Sequence, residues 1–263
     1  MAHVSLNPKN PFIFKPPIES SMKSSLLVVA LSLSAGIVAQ GQSVISWNFD
    51  GYGTFSGANA FAGVVLAPNW NDTYLIDGNS GAPETNLLNS AGTATGVSAS
   101  FSDNSQYGYA IQFSDPGLDA NGSNNRRLLN GYLNNGGGSV TISLTGISFQ
   151  YYDLIVYLSS DTAGRTGTVG VGGTTFDFTT MGPSQISGVN ASFIQTTDTT
   201  GANPPADYAI FSNLSGSSQS IVSTIPAYGG IAGFQIVAVP EPGSLALAAL
   251  GGAGMFLFRR GRK

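Results

Sequence analysis

Cysteine is absent from all 263 residues, and the one histidine is His3, close to the amino terminus. Between residues 42 and 239 lysine is missing too, and the only basic residues there are Arg126, Arg127 and Arg165. These absences remove whole classes of chemistry. A Ser-His-Asp or Cys-His catalytic set needs a base that this stretch does not contain. Zinc sites built from His and Cys are excluded likewise, and no disulfide can brace an exported fold, so a hydrophobic core must stabilise it alone. Charge is also scarce, at 9% of residues. Three arginines stand against twelve acidic residues between 42 and 239, a net charge of −9 against −4 for the whole chain. Nucleic-acid recognition rests on clustered Lys and Arg that displace counterions from phosphates, so this stretch argues against nucleic acid as a partner.

Long apolar runs are likewise rare, and they sit at the two ends. The first follows Met22-Lys23. Lys23 supplies a positive start, residues 26–33 an apolar stretch, and Ala39 or Gly41 a small residue at a cut, which are the three parts of a secretion signal. The expectation is a leader and signal helix over residues 1–41, with Met22 as the true start. The second run lies in Val239-Pro-Glu-Pro-Gly-Ser-Leu-Ala-Leu-Ala-Ala-Leu-Gly-Gly-Ala-Gly-Met-Phe-Leu-Phe-Arg-Arg-Gly-Arg-Lys263. Proline removes donors and fixes φ, so Pro240 and Pro242 break the preceding strand. The fifteen residues 244–258 reach roughly 22 Å as a helix, short of the roughly 30 Å hydrocarbon core. Adding 242–243 and letting Arg259 and Arg260 snorkel narrows the gap, so residues 243–258 read as a single transmembrane helix. The basic end should stay cytoplasmic, which leaves residues 42–238 outside.

This tail resembles the PEP-CTERM sorting signal. Val239, Pro240, Glu241 and Pro242, the apolar helix, and the cluster led by Arg259 and Arg260 carry the resemblance, over residues 239–263 only. It implies recognition by an exosortase-type processing enzyme, cleavage near the Pro-Glu-Pro element, and transfer from an inner-membrane anchor to the envelope, cell surface or biofilm matrix. Glu241 is then a sorting determinant and not a catalytic acid.

The whole chain has 35 glycines, yet its 42% apolar residues and 25 Phe and Tyr supply material for burial. Short β-branched and aromatic segments occupy 44–49, 63–66, 94–101, 109–113, 139–144, 152–158, 167–171, 174–178, 192–197, 208–211, 220–224 and 233–237. Between them stand Asp77-Gly78, Asn121-Gly122, Asn134-Asn135-Gly136 and Gly172-Gly173, which favour tight turns. Gly172-Gly173 sits inside a clear hairpin pattern, and residues 128–133 read as a short turn of helix. Many short strands without helical crossovers point to an all-β fold, a β-sandwich or jelly roll, in one domain over 42–238. The layout resembles galactose-binding-like jelly rolls through Ile45-Ser-Trp-Asn-Phe49, Ala62-Gly-Val-Val65 with Asn69-Trp70-Asn71, Tyr152-Asp-Leu-Ile-Val-Tyr157 and Ile231-Ala-Gly-Phe-Gln-Ile-Val237. That fold hosts binding and accessory modules alike.

Two chemistries survive the exclusions. Paired carboxylates hydrolyse glycosides when one is a raised-pKa acid, and Glu84 is the one glutamate between 42 and 239; no local grouping marks its partner. Calcium takes oxygen ligands, and Asp72 beside Asn69 and Asn71, or Asp115 and Asp119 beside Asn121, are acidic loop groups. The competing reading is that these Asn and Asp residues cap turns. For ligand binding, aromatic rings that stack on sugars flanked by polar side chains are the pattern sought. Trp70 between Asn69 and Asn71, Tyr107 and Tyr109 around Gly108, and the Arg126–Arg127 pair fit it. The favoured reading of Trp70 on its own is a plug beneath a loop, and that of the arginines is as partners of Asp115 or Asp119. The expected function is a non-catalytic exopolysaccharide-binding or adhesion module without a cofactor, structural calcium aside. The alternatives are a self-associating envelope protein and a carboxylate glycosidase.

Overall fold

The computed structural model describes residues 43–49, 57–72, 84–102, 110–112, 115–134 and 136–240. The leader, Tyr107, Tyr109 and the tail from Glu241 onward, with Pro242, Arg259 and Arg260, lie outside the described residues. So does the side chain of Asp72.

Thirteen strands make two sheets packed face to face. The first joins β10 (Gln195–Thr196), β11 (Tyr208–Leu214), β7 (Tyr152–Ser159), β13 (Gly230–Ala238), β1 (Val44–Asn48) and β2 (Asn71–Asp72) in that order. β5 (Gly131–Asn134) pairs with the start of β13, and β4 (Ala110–Gln112) pairs with β5. The second sheet runs β3 (Ser98–Ser102), β6 (Ser139–Thr145), β12 (Ser218–Thr224), β8 (Ala163–Val171) and β9 (Thr174–Met181). The all-β sandwich read from the sequence is the observed architecture. Among the described residues, one short α1 (Asn125–Leu128) and a 3-10 helix (Gly182–Ile186) punctuate the loops.

The strands follow from side-chain period. In Ser139-Val-Thr-Ile-Ser-Leu-Thr145, every second residue is apolar and buried, and the others face water. β12 repeats the pattern through Ile221. Gly172 and Gly173, at φ +59° and +86°, form the tight link between β8 and β9 that the sequence predicts. The inner faces meet around Trp47, whose ring lies 5.6 Å from Phe101, 5.4 Å from Phe234 and 3.9 Å from Phe49. Val140, Ile142, Leu154, Val156, Val169, Ile221 and Ile236 extend this core, all buried. Each large side chain removed from water there contributes about 1.5–3 kcal/mol.

β7 and β13 break the alternation, because they are buried on both faces. A layer of loops covers the outer face of the first sheet and forms a second apolar cluster with Trp70, Leu128, Leu129, Ile155, Tyr157, Ile186 and Ala232. Two expectations are corrected here. Residues 63–66 are not a strand; they form a tight loop closed by the Ala62–Ala67 bridge. The helical turn expected over 128–133 falls earlier, over Asn125–Leu128, and residues 131–134 enter the sheet as β5.

Candidate functional site

The outer loop layer is fixed by one buried polar network. Gln235 of β13 points outward beneath the 63–66 loop. Tyr157 donates to Gln235 Oε1 at 2.5 Å, and the Val64 N–H donates to the Tyr157 hydroxyl at 2.7 Å. Gln235 Nε2 donates to Ser46 Oγ at 3.1 Å and to the Val65 carbonyl at 2.8 Å. Burial holds the Tyr157 hydroxyl far above the ordinary tyrosine range, so it serves as a neutral hydrogen-bonding group. Gly63 makes this approach feasible: φ is +97°, and a Cβ would lie 2.7 Å from Gln235 Cδ.

Trp70 belongs to this layer. It is 2% exposed, and its indole N–H donates to the Ala67 carbonyl at 2.9 Å. Its ring is therefore closed to a sugar, and the stacking platform is corrected to the plug that was its alternative. Asn69 and Asn71 hold loops together. Asn69 Nδ2 donates to the Ser90 carbonyl, while Asn71 Nδ2 donates to the Ser46 and Leu88 carbonyls and its Oδ1 accepts the Leu88 N–H.

The acidic loop is built the same way. Asp119 is 4% exposed; its Oδ2 accepts from Ser123 Oγ and from the Asn125 and Arg126 N–H groups at the start of α1, and its Oδ1 accepts the Ala191 N–H. Asn121 Oδ1 accepts the Ser123 N–H. Arg127 makes a two-pronged pair with Asp115 at 2.8 and 3.0 Å, and this guanidinium holds the Asp115 carboxyl below the usual carboxylate range. Arg126 Nε donates to the Ile186 carbonyl. Asp119 thus spends both oxygens on the chain's own donors, and Asp115 pairs with Arg127. Among the described residues no three His, Cys, Asp or Glu side chains gather as metal ligands. Glu84 is half-buried and its backbone bridges to Ala99, so it extends the β3 edge instead of standing in an open loop.

Two features escaped the sequence reading. The first is Asp207, which is fully buried just before β11. Its Oδ1 accepts the Ile194 N–H at 2.7 Å while Oδ2 has no hydrogen-bond partner, and burial pushes its pKa up to about 7. It fastens the segment before β10 to the sheet edge. The second is the outer face of the five-stranded sheet. Register sets Ser98, Thr145 and Ser218 in one row, and Ser100, Ser143 and Ser220 in the next. Thr141, Val222, Gly170 and Thr175 follow, then Ser139, Thr224, Thr168 and Asp177. Rows of this kind repeat about 4.8 Å across strands and about 6.8 Å along them. The face is an array of hydroxyls interrupted by Val222 and Gly170, on which Asp177 is the one charge in these rows. Its sequence signal was the Ser-x-Thr-x-Ser-x-Thr run of β6; without knowing which strands flank β6, that run reads as an ordinary wet face.

The sandwich ends where the tail begins. Val237 is buried, the Ala238 N–H donates to Ser43, and the Val239 N–H donates to the Tyr151 carbonyl at 3.0 Å. Pro240, next along, is exposed. Residues 238–263 match the PEP-CTERM protein-sorting motif. The chain carries an exosortase sorting signal. That motif marks an exported protein processed at the membrane by an exosortase, and its first two residues are still bonded into the first sheet of the sandwich. No curated protein and no solved structure matches the chain. Among the described residues no helix is long and apolar enough to cross a membrane.

Proposed function

We propose that the sandwich is a non-catalytic module that binds neutral exopolysaccharide at the cell surface or in the matrix, and that residues 243–258 tether it in the membrane until the exosortase acts. The observation that carries the binding reading is the hydroxyl array on the five-stranded sheet. Serine and threonine hydroxyls both donate and accept, as sugar hydroxyls do. The array spans neighbouring strands, and most of the domain's net charge of −9 lies away from it. Four carboxylates support the same reading, since Asp115 pairs with Arg127 and Asp119, Asp198 and Asp207 accept backbone N–H groups. The likeness to galactose-binding-like jelly rolls belongs with this proposal. The test is retention of the mature protein on neutral glycans and on the host's own exopolysaccharide. A Ser143→Glu/Ser220→Glu variant, changed at exposed positions, is expected to weaken binding about tenfold or more, equal to about 1.4 kcal/mol. Undiminished binding by that variant would refute the face.

A second reading, self-association without a soluble ligand, is favoured by one observation. Phe61, Leu66, Leu118 and Val189 on the loop layer are 42%, 58%, 48% and 73% exposed. Assembly that rises with concentration, vanishes in Leu66→Ser/Val189→Ser, and is accompanied by silence across neutral glycans would select it.

A further inference from the structure

We propose that the end of the sandwich from which the tail leaves lies against the lipid headgroups while the protein awaits processing; this rests on the membrane tether proposed above. The first argument is length. Strand β13 is hydrogen-bonded through Ala238, and Val239 is held by Tyr151. Only residues 240–243 separate that point from the apolar run that starts at Ser244. Four residues span at most about 14 Å fully extended, and the headgroup layer takes up about 6 Å of that. A domain of this length is about 40 Å across. The spacer is too short for the domain to turn another side to the bilayer.

The second argument is the composition of that end. Register and contacts gather four turns around Val239. Thr145 pairs with Ser98 and with Ser218, which places residues 93–97, 145–151 and 213–217 together. Ile147 donates to Ser217, Tyr152 donates from its hydroxyl to Gly216, and a Cβ on Gly172 would lie 3.7 Å from Leu214. None of these turns, nor Gly172-Gly173, contains a charged residue. Tyr151, 39% exposed beside the exit point, suits the interface, where tyrosine is favoured. Glu241 in the spacer carries one carboxylate past this point; among the described residues Asp153 and Glu84 stand just inside this end, and Asp153 Oδ1 accepts the Asn213 N–H. In a domain of net −9, these charge-free turns are the surface that anionic headgroups repel least.

Because the chain has no cysteine, single reporters can be placed cleanly. The full-length protein carrying Gln150→Cys at this end, or Thr162→Cys in the turn after β7 at the opposite end, is labelled with a fluorophore. It is then reconstituted in phosphatidylethanolamine–phosphatidylglycerol vesicles bearing a headgroup nitroxide. Quenching at position 150 should exceed that at 162 several-fold. Inserting a Gly-Ser linker of about 20 residues after Val239, with a typical reach of about 25 Å, should remove most of the difference. Equal quenching at both positions in protein that floats with the vesicles would overturn the orientation alone. Protein that does not float would overturn the tether and the orientation with it.

Discussion

Asp207→Asn should flatten the pH dependence of stability. The carboxyl is fully buried, uses one oxygen for the Ile194 N–H, and leaves the other without a partner; Tyr157 and Tyr208 are the titratable neighbours that face it. Its pKa stands at about 7 against 3.8 for an ordinary aspartate. The folded chain therefore binds a proton that the unfolded chain releases between these values, and stability falls as pH rises through that window. The gap corresponds to about 4 kcal/mol lost between about pH 4 and pH 8. For a domain of this size that is a fall in Tm of about 8–16 °C. Asparagine keeps an acceptor for Ile194 and cannot ionise. Its amide N–H groups add a fixed cost of about 1–3 kcal/mol, so the quantity to compare is the slope and not the absolute stability. Asp115 and Asp198 have lowered pKa values, and their contributions are lost only toward acid, in wild type and variant alike. Urea titrations followed by Trp47 and Trp70 fluorescence at several pH values give both profiles. Parallel profiles, or a wild type more stable at pH 8 than at pH 5, would refute the reasoning.

Gly63→Ala should destabilise by about 2–5 kcal/mol, since a positive φ and a clash with Gln235 add together; thermal unfolding measures it, and a neutral outcome would mean the loop is not seated on Gln235. Trp70→Ala should cost about 3–5 kcal/mol as a core truncation, with any glycan binding at low temperature retained by the protein that remains folded. Asp119→Ala should cost about 3 kcal/mol or more because four donors lose their acceptor. Arg127→Ala should cost about 1 kcal/mol or less, as its partner Asp115 is half in water; urea midpoints for the two variants compare the two values directly.

Strand identity was legible wherever one face is wet. Residues 139–145 and 218–224 announce themselves by alternation, and Gly172-Gly173 fixes a turn without help from the rest of the fold. What could not be read was the third layer. The run Ile231-Ala-Gly-Phe-Gln-Ile-Val237 looks like a buried strand, but nothing local says that Gln235 will meet Tyr157 and a loop 170 residues away. Trp70 was ambiguous for the same reason: polar neighbours normally mark an open loop, and here Asn69 and Asn71 turn their amides inward to backbone carbonyls. Asp119 and Asp115 were recognisable as turn builders or cation ligands, and only the distances to Asn125, Arg126 and Arg127 decide between them. Asp207 gave no signal at all, because an isolated aspartate before a strand is indistinguishable from a surface one until its burial is known. The hydroxyl array depends on the register of five strands, which no single segment encodes.

Both borders of the five-stranded sheet are occupied from within the same chain. Along β9, the Asp177 and Thr179 N–H groups donate to the Asp198 and Pro204 carbonyls, and along β3 the Ala99 N–H donates to Glu84. Unclaimed border groups recruit neighbouring molecules and seed fibres. An exported protein without disulfides to lock it would be exposed to that hazard wherever it is concentrated. With those borders closed, many copies can stand close together while each stays a separate particle.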